Sequence, residues 1–524
     1  MSSALFINAK VWKPSGEFAQ AFGVRESFFD FIGSNEEASS IKSNYEKIIN
    51  CEGRLVLPGL IDGHLHLVKG SLMIKRFDSS GIKNIETLKT KICEYADSNP
   101  NQSWIVGSNL DANSLLKDVD TTKGNIADGI YSDKPFFINN FDYHSALCNT
   151  KALEVSELMN KLSEFSNDEV VRDSSGSPTG IIKEKAQKYM YSMLPQPSID
   201  EKLKAAEEFT QVLHSYGITS VSDITLINEL VVYKKLHDKN KLNLRINSYI
   251  PFEEYHNLNE YKKYTKEISS ELFAIKGFKA YWDGALSSET ALFSRNYKGK
   301  SHNGYETELV KNKEIFRLAK EINSFGMQMI IHAIGDKAVT EVLDLYESLY
   351  DPSLKTRHRI EHAQHIQEKD IARFRKLGVI ASVQPIHLKY DVKSVMEKLT
   401  EDLIPLTHNY KKIIDNGGVV NFGTDFPIVQ VNPFENISLA LTRKTKDGTF
   451  LPELGIDLHN CIKSYTINNA SSNFNENLLG AIEKGKKADF VIMKDDLFEM
   501  DTGDISNAKV WKTYFNGEEV YSNP

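Results

Sequence analysis

Two histidines two positions apart, His64 and His66, follow an apolar segment in the sequence LPGLIDGHLHL. In an extended strand, side chains at positions i and i+2 point to the same side. Two neutral imidazoles aimed at one point are typical of metal ligands, because a dry pair would leave ring nitrogens without partners. The apolar strand and the Asp-Gly pair before them strengthen this interpretation. We therefore expect both imidazoles to bind a metal ion.

Other candidate ligands also stand where predicted strands end. His332 ends the strand in MQMIIHAIGD, His362 ends HRIEHAQ, Asp425 ends VVNFGTDFP, and Lys279 lies in GFKAYWDG. Any one of them alone is explained as well by a hydrogen-bonded core residue or a salt-bridged lysine. Together with the first pair, however, His and Asp residues end four strands, and that pattern is typical of catalysis at the C-terminal rim of a barrel. Imidazole and carboxylate ligands suit Zn²⁺, Fe²⁺, Mn²⁺ or Ni²⁺.

The elements that must position these residues are strands that alternate with amphipathic helical segments. This alternation favours an α/β fold, a (β/α)₈ TIM barrel with a parallel sheet, over a sandwich. A barrel takes roughly 250 residues, so the chain has room for it and for attachments. The predicted barrel strands are Gly59–His66, Gly217–Asp223, Leu244–Ile250, Gly277–Asp283, Met327–His332, His358–His362, Val379–Pro385 and Val419–Asp425.

Both ends of the chain consist of short predicted strands separated by turns, such as ALFINAKVW near the start and VWKTYFNGEEVY near the end. Neither end is long enough to bury a core alone, so we predict one small β-sandwich domain from residues 1–57 and 480–524. The barrel domain then covers residues 58–479. Its first two strands are about 150 residues apart, far more than a βα unit needs, which predicts an inserted subdomain at about 70–198.

Composition excludes several classes of protein. Hydrophobic residues make up 41% and charged residues 26%, and the net charge is −8, without the basic face that nucleic-acid binding requires. No run of about 18 apolar residues is present that would cross a membrane. The apolar stretch Ala4–Ile7 is too short for a signal peptide. We expect a cytoplasmic enzyme with a small-molecule substrate and neither nucleic acid nor membrane as a partner.

The chain resembles the amidohydrolase superfamily over nearly its whole length, and within it the YtcJ-like branch that includes N-substituted formamide deformylases. The motifs that carry the resemblance are, in order, LPGLIDGHLHL, DYHSALCNTKAL, TGIIKEKA, GITSVSD, KAYWDGALSSETA, IHAIGDKAV, RIEHAQ, SVQP, FGTDFPIVQVNPF, SYTINNA and GAIEKGKKADFVIM. They are specific for the superfamily and less so for the branch, and they do not identify a substrate. The resemblance implies a metal-dependent hydrolase of non-peptide carbon–nitrogen bonds, of amide or formamide type.

The resemblance also implies roles for the candidate ligands. The implied metal ligands are His64 and His66 for a more buried ion, and His332 and His362 for a second ion. Asp425 corresponds to a residue that binds metal and handles protons. Lys279 stands where members with two metal ions have a lysine that CO₂ carboxylates, so that a carbamate bridges both ions. We expect one or two divalent ions, zinc first, with iron, manganese or nickel as alternatives.

The expected mechanism uses hydroxide that the metal generates at neutral pH. Asp425 orients this hydroxide, accepts its proton and passes it to the leaving nitrogen, with His332 beside it in the catalytic group. Loops over the same rim should build the substrate pocket. The candidates for it are Trp104, Asp111, His144, Glu184, Trp282, Asp283, Gln384 and His387.

Two alternatives stay open at this point. One is a deaminase or cyclic-amide hydrolase of the same superfamily, with a single metal ion and no carboxylated lysine. The other is a non-catalytic relative with a binding or assembly role. Such a relative is expected to have lost metal ligands, whereas this chain retains the full set. A homodimer is a further expectation, because dimers are common in the superfamily.

Overall fold

The computed structural model describes residues 3–117, 120, 124–140, 145–268 and 271–523. These residues form two compact units. The larger one consists of Met1–Gly70 and Ala206–Pro524, and the smaller one of Ser71–Ala205. None of the helices in the described part of the chain combines the length and the apolarity that crossing a bilayer requires.

An eight-stranded sheet forms the centre of the larger unit, with the strands in chain order. All neighbouring strands in it are parallel. We label them β1 (Leu60–Leu65), β2 (Ile218–Ile224), β3 (Arg245–Pro251), β4 (Phe273–Tyr281), β5 (Gln328–Ala333), β6 (Arg359–His362), β7 (Ile380–Val383) and β8 (Val419–Phe422).

The sheet closes between β1 and the residues that follow β8. The Asp425 N–H donates to the His64 carbonyl at 2.7 Å, and the His66 N–H donates to the Phe426 carbonyl at 2.9 Å. Leu65 and Phe426 form a parallel bridge at the same place. The predicted (β/α)₈ barrel is thereby confirmed, although β8 ends at Phe422, three residues earlier than predicted.

Helices between the strands bury an apolar stripe with helical spacing. The helix Glu314–Ser324 buries Ile315, Leu318 and Ile322, and its sequence predicted this stripe. The other helices of the larger unit are Asn35–Ile41, Leu230–Asp238, Leu258–Glu267, Glu308–Lys311, Asp336–Ser348, Glu368–Leu377, Leu388–Lys398, Tyr410–Asp415, Pro433–Thr442, Leu458–Tyr465 and Ile467–Ser472. Leu67–Met73 and Ile199–Ser215 span the two boundaries between the units in the chain.

Both chain ends contribute to a two-sheet β domain in the larger unit. One sheet contains Phe28–Gly33, Ala21–Arg25, Ala4–Ile7 and Lys47–Asn50, and the other contains Glu518–Ser522, Val510–Phe515, Phe490–Met493, Leu55–Pro58, Lys10–Trp12 and Phe18–Ala19. An aromatic core joins the sheets. Phe6 stacks on Phe22 at 4.6 Å between ring centroids, and both meet Phe490 edge to face. Such packing from two sheets makes this a β-sandwich.

The smaller unit has its own six-stranded mixed sheet, formed by Val170–Arg172, Pro178–Lys183, Ser145–Cys148, Phe136–Asn140, Ile105–Leu110 and Phe77–Asp78. Its helices are Ile85–Ser98, Ala112–Leu115, Thr150–Val155 and Glu184–Ser192. Two apolar clusters fill its core, one of them around Phe136 and Ile138 and the other around Phe137 and Leu153.

Candidate metal centre

The histidine pair of β1 and Asp425 meet at the C-terminal rim of the barrel. His64 Nε2 lies 3.5 Å and His66 Nε2 lies 3.7 Å from the same carboxylate oxygen, Asp425 Oδ1. Ligand atoms bound at about 2.1 Å to one tetrahedral ion lie roughly 3.4 Å apart. The three side chains therefore already have nearly the spacing that one shared divalent ion requires.

Two glycines allow β1 and the segment after β8 to come this close. A Cβ on Gly63 would lie 2.8 Å from the Phe422 carbonyl oxygen, and a Cβ on Gly423 would lie 2.4 Å from the His64 backbone nitrogen. Asp62 links the same segments, since its carboxylate accepts hydrogen bonds from the Thr424 N–H at 3.1 Å and the Thr424 hydroxyl at 2.7 Å. The DGH and FGTD motifs therefore bring the two segments together, in addition to supplying candidate ligands.

A buried carboxylate orients the His64 ring. Glu361 Oε2 forms a short hydrogen bond with His64 Nδ1. Arg359 holds Glu361 with two hydrogen bonds, Nε to Oε1 at 2.8 Å and Nη2 to Oε2 at 3.0 Å, and all three side chains are buried. Because Nδ1 is engaged in this hydrogen bond, Nε2 of His64 remains available to bind a metal ion. Carboxylates that fix a ligating imidazole in this way are a regular part of metal sites.

His362 and His332 form the opposite side of the centre. His362 Nδ1 bonds to Gln384 Oε1 at 2.7 Å, which leaves its Nε2 for a ligand. His332 Nε2 lies 3.1 Å from the Gly284 carbonyl, so the Nδ1 atom of His332 remains available for a ligand. The His362 ring centroid lies 4.5 Å from that of His332 and 5.3 Å from that of His64. Residues from β1, β5, β6 and the loop after β8 are therefore brought together.

Lys279, on β4, is close to the four histidines of the centre. It is completely buried, and its Nζ has no hydrogen-bond partner in the described part of the structure. Its charge acts on His64, His66, His332 and His362 alike. The Tyr281 ring, two residues further along β4, covers it at 4.7 Å. Lys279 therefore has a central position among the candidate ligands.

Burial determines the protonation of these groups. It lowers the pKa of His66 and His332 to about 3, and the pKa of His64 and His362 well below the ordinary value. The imidazoles are consequently neutral at pH 7 and have the free lone pair that metal binding requires. Burial also raises the pKa of the Asp425 carboxyl and lowers the pKa of the Lys279 amine.

The donor set fits a divalent transition metal. Donor atoms of His64, His66 and Asp425 lie within 4.8 Å of one another, and so do donor atoms of His362, His387 and Asp425. Neutral imidazoles with a carboxylate suit zinc and its first-row neighbours. Lys279 Nζ, beside these groups, makes no hydrogen bond to any of the described residues.

The candidates for the substrate pocket have different surroundings. Asp283 accepts hydrogen bonds from the backbone N–H groups of Leu292, Ile334 and Gly335, so it holds the loops after β4 and β5 together. Gln384 binds the ring of His362. Trp282 is buried and donates from Nε1 to Glu341 at 2.8 Å, which assigns it to the packing between helices.

The remaining candidates belong to the smaller unit. Trp104 is packed in that unit's own core, and Glu184 is exposed at the start of the helix Glu184–Ser192. Asp111 directly precedes the helix Ala112–Leu115. His144 lies outside the described residues.

Sequence reasoning missed three residues at the centre: Arg359, Glu361 and Tyr281. Arg359 and Glu361 alternate on β6 just before His362, so charged residues inside a buried strand were the available signal. Tyr281 is paired with His332 across β4 and β5, and their ring centroids lie 5.2 Å apart.

Comparison with known proteins gives matches over nearly the full length. The chain is 28% identical over 520 residues to Protein LONG AFTER FAR-RED 3 of Arabidopsis thaliana, covering 96% of this chain and 88% of that protein. It is 26% identical over 521 residues to the putative amidohydrolase YtcJ of Bacillus subtilis, covering 97% and 96%. It is 23% identical over 543 residues to the N-substituted formamide deformylase of Arthrobacter pascens, covering 99% and 98%.

The fold is similar to that of an uncharacterized metal-dependent hydrolase from Pyrococcus horikoshii. The TM-score is 0.80 at 24% identity, with 96% of this chain and 99% of that chain covered, and this likeness concerns the fold. The sequence profile of the amidohydrolase family matches residues 47–521. This match confirms the predicted superfamily and its general activity, metal-dependent hydrolysis of carbon–nitrogen bonds. The chain belongs to the amidohydrolase family.

Proposed function

We propose that this protein cleaves the carbon–nitrogen bond of an N-substituted formamide or another small amide, with two divalent ions and a carboxylated Lys279. Zinc is the proposed metal, with iron, manganese or nickel as alternatives. His64 and His66 would bind one ion, His332 and His362 would bind the other, and Asp425 would also bind metal. The observation that carries the proposal is the fully buried Lys279, whose Nζ has no partner in the described structure.

A lysine in this position is poorly explained as an ordinary ammonium group. A buried charge is costly unless it is paired and hydrogen-bonded, and here Nζ makes no hydrogen bond in the described structure. Burial lowers the pKa of Lys279, so the neutral amine becomes accessible. A neutral amine attacks CO₂ and loses one proton to give a carbamate. This anion supplies two oxygen ligands, whereas an ammonium supplies none.

The chain's own residues account for binding and proton transfer. These residues would hold divalent ions, which would supply a nucleophilic water at neutral pH and polarise the substrate carbonyl. Asp425 is the proton carrier, because burial raises the pKa of its carboxyl toward the working pH. Its carboxylate lies beside both histidines of β1, which fixes where the proton is accepted. The same carboxyl then delivers that proton to the leaving nitrogen.

In our proposal, the barrel, the β-sandwich and the inserted subdomain have different roles. Residues 58–479 form the hydrolase barrel, and residues 1–57 and 480–524 form the supporting β-sandwich. Asp283 and Gln384 are the substrate-recognition residues that we propose in the barrel. For the inserted subdomain at about 70–198, His144 and Glu184 stay predictions from the sequence, whereas Trp104 is a core residue of that unit. Cytoplasmic location and a homodimer stay predictions.

The first test is metal content per chain, measured by mass spectrometry on protein purified without chelator, with formamide hydrolysis measured on the same sample. We expect about two ions per chain, and activity that chelation abolishes and metal restores. About one ion per chain would instead favour the mononuclear deaminase or cyclic-amide hydrolase. Protein that takes up no metal on reconstitution would contradict the ligand assignment.

The Lys279→Ala variant tests the carbamate. We expect it to lose metal and activity, and to regain part of both in acetate, because a free carboxylate can occupy the space of the carbamate. Lys276→Ala is the matched control. Lys276 lies on the same strand and burial also lowers the pKa of its amine, but its Nζ donates to Asn475 at 2.9 Å. This control should retain its metal. Full metal content in Lys279→Ala would overturn the proposed role.

A further inference from the structure

The ring of His66 is held differently from the other histidine rings of the centre. The rings of His64, His332 and His362 each hydrogen-bond to a protein oxygen. The His66 ring makes no hydrogen bond to any described residue; its Nε2 lies 3.7 Å from Asp425 Oδ1, and its side chain is 20% exposed. The direction of this ligand therefore depends on how its backbone is held.

A buried carboxylate of β2 binds the chain directly after His66. Asp223 is fully buried, and its Oδ1 accepts a hydrogen bond from the Leu67 N–H at 2.8 Å. The hydroxyls of Thr225 and Tyr233 both donate to the other oxygen, Oδ2, at 2.6 Å. These two bonds fix the carboxylate with Oδ1 toward Leu67. The aspartate that ends the GITSVSD motif thus contacts the residue next to a candidate ligand.

The contact with Asp223 lies where the pairing between β1 and β2 ends. Leu65 pairs with Asp223, and the register shifts just before this pair, because β1 advances three residues while β2 advances two. Irregular pairing of this kind changes the direction of side chains and is frequent beside active sites. The Asp223 carboxylate extends the attachment of β1 to β2 as far as Leu67. On the opposite side, the His66 N–H donates to the Phe426 carbonyl at 2.9 Å.

We propose that Asp223 is a positioning residue for the ion that His64 and His66 would bind. This inference rests on the proposed function and deepens it. By accepting the hydrogen bond from the Leu67 N–H, the carboxylate fixes the peptide after His66 and with it the direction of the imidazole. Groups that orient a ligand from behind contribute to metal affinity. Three donors engage the oxygens of Asp223, so it acts through the backbone and is not itself a ligand.

Zinc affinity tests the positioning role. Asp223→Ala removes the acceptor, and we expect the affinity for this ion to fall about 10- to 100-fold, while the ion at His332 and His362 is retained. Asp223→Asn keeps an oxygen for the Leu67 N–H, and its amide can donate to the two hydroxyls, because a hydroxyl also accepts. This conservative variant should recover most of the lost affinity.

Tyr233→Phe is the matched control. It removes one donor to Oδ2 but leaves the bond to Leu67, so it should lower stability without loss of zinc. If Asp223→Ala does not fold, the double variant Asp223→Val/Tyr233→Phe replaces it. Removing both polar partners costs less than removing one. The double variant should show the same loss of zinc affinity as Asp223→Ala.

Competitive zinc titration, urea unfolding and mass spectrometry measure affinity, stability and ions per chain. Unchanged affinity in the variants that lack the carboxylate overturns the inference, and so does a loss of zinc in Tyr233→Phe that follows its loss of stability. If the unmodified protein hydrolyses no formamide, the proposed function fails and the zinc affinities still decide on Asp223. If it holds a single ion, the two-ion proposal fails and the affinity for that ion decides. Protein that takes up no zinc overturns both.

Discussion

At the scale of single residues, the centre depends on buried charges that lie behind the ligands. Arg359 binds Glu361 in a bidentate pair, and Glu361 binds His64, so one ligand is oriented from β6. Arg359 also donates to the Gly63 carbonyl at 2.6 Å and to the Ser382 hydroxyl at 2.8 Å, which links it to β1 and β7. A single buried guanidinium thus stabilises the arrangement of three strands.

The Glu361→Gln variant tests this arrangement. Removing one partner of a buried ion pair leaves an uncompensated charge, so we expect a loss of about 3–5 kcal/mol in the free energy of unfolding. Zinc affinity should fall about 10- to 100-fold, because His64 loses the charged acceptor that orients it and the amide offers one oxygen for the donors of both His64 and Arg359. Urea unfolding and competitive zinc titration measure the two effects.

Glu476→Gln is the control for Glu361→Gln. Glu476 also accepts two hydrogen bonds from an arginine, Arg357, but both side chains are partly exposed. We expect a loss below about 1 kcal/mol and unchanged zinc affinity. Equal effects in the two variants would contradict the role assigned to Glu361.

At the scale of elements, the centre depends on how closely β1 approaches the segment after β8. Strand β8 ends at Phe422, and Asp425 follows in the left-handed region with φ 61°. The backbone hydrogen bond from Asp425 to His64 fixes this segment against the strand that carries the first two ligands. Backbone contacts therefore help to position the Asp425 carboxylate.

The Gly423→Ala variant tests the close approach. Its Cβ would lie 2.4 Å from the His64 backbone nitrogen, so β1 and the β8 segment must move apart. We expect a loss of about 1–3 kcal/mol in the free energy of unfolding. Metal content should fall as well, because Asp425 moves away from the histidines. Gly503→Ala is the control, since nothing lies within 4 Å of the added Cβ. Unchanged metal content in Gly423→Ala would show that the spacing tolerates this shift.

At the scale of the larger unit, a buried ion pair joins the β-sandwich to the barrel. Arg245, at the start of β3, donates to both carboxylate oxygens of Asp489 at 2.7 and 3.1 Å, and both side chains are almost fully buried. Asp489 also accepts from the Asn516 N–H at 2.8 Å. The C-terminal part of the β-sandwich is thus held against the barrel, and we expect the two to unfold together.

A double-mutant cycle tests this connection. Arg245→Met and Asp489→Leu each leave one buried charge unpaired, and we expect each to cost about 3–5 kcal/mol in the free energy of unfolding. The double variant should be clearly more stable than either single variant, since no charge is left. Urea denaturation measures all four proteins. Additive losses would contradict the proposed pairing, and a separate transition for the β-sandwich would contradict the expected joint unfolding.

The sequence by itself determined the barrel and most of the candidate ligands. Alternating strands and helices follow from apolar spacings of a few residues, and such local patterns can be read without knowing the partners in space. His64 and His66 are two residues apart, so their common direction follows from strand geometry alone. The predicted ends of the strands were less accurate. Asp425 was predicted to end β8 but lies beyond it, because its conformation depends on contacts with β1.

Only the tertiary structure decided which groups surround the ligands. Glu361 is 297 residues from His64 in the chain, and no local pattern predicts their hydrogen bond. That Lys279 Nζ makes no hydrogen bond to the described residues follows from its burial, which depends on every neighbouring strand and loop. Side-chain type and spacing therefore predict what chemistry is present, whereas packing across the barrel decides which atoms are paired and which are left for metal and substrate.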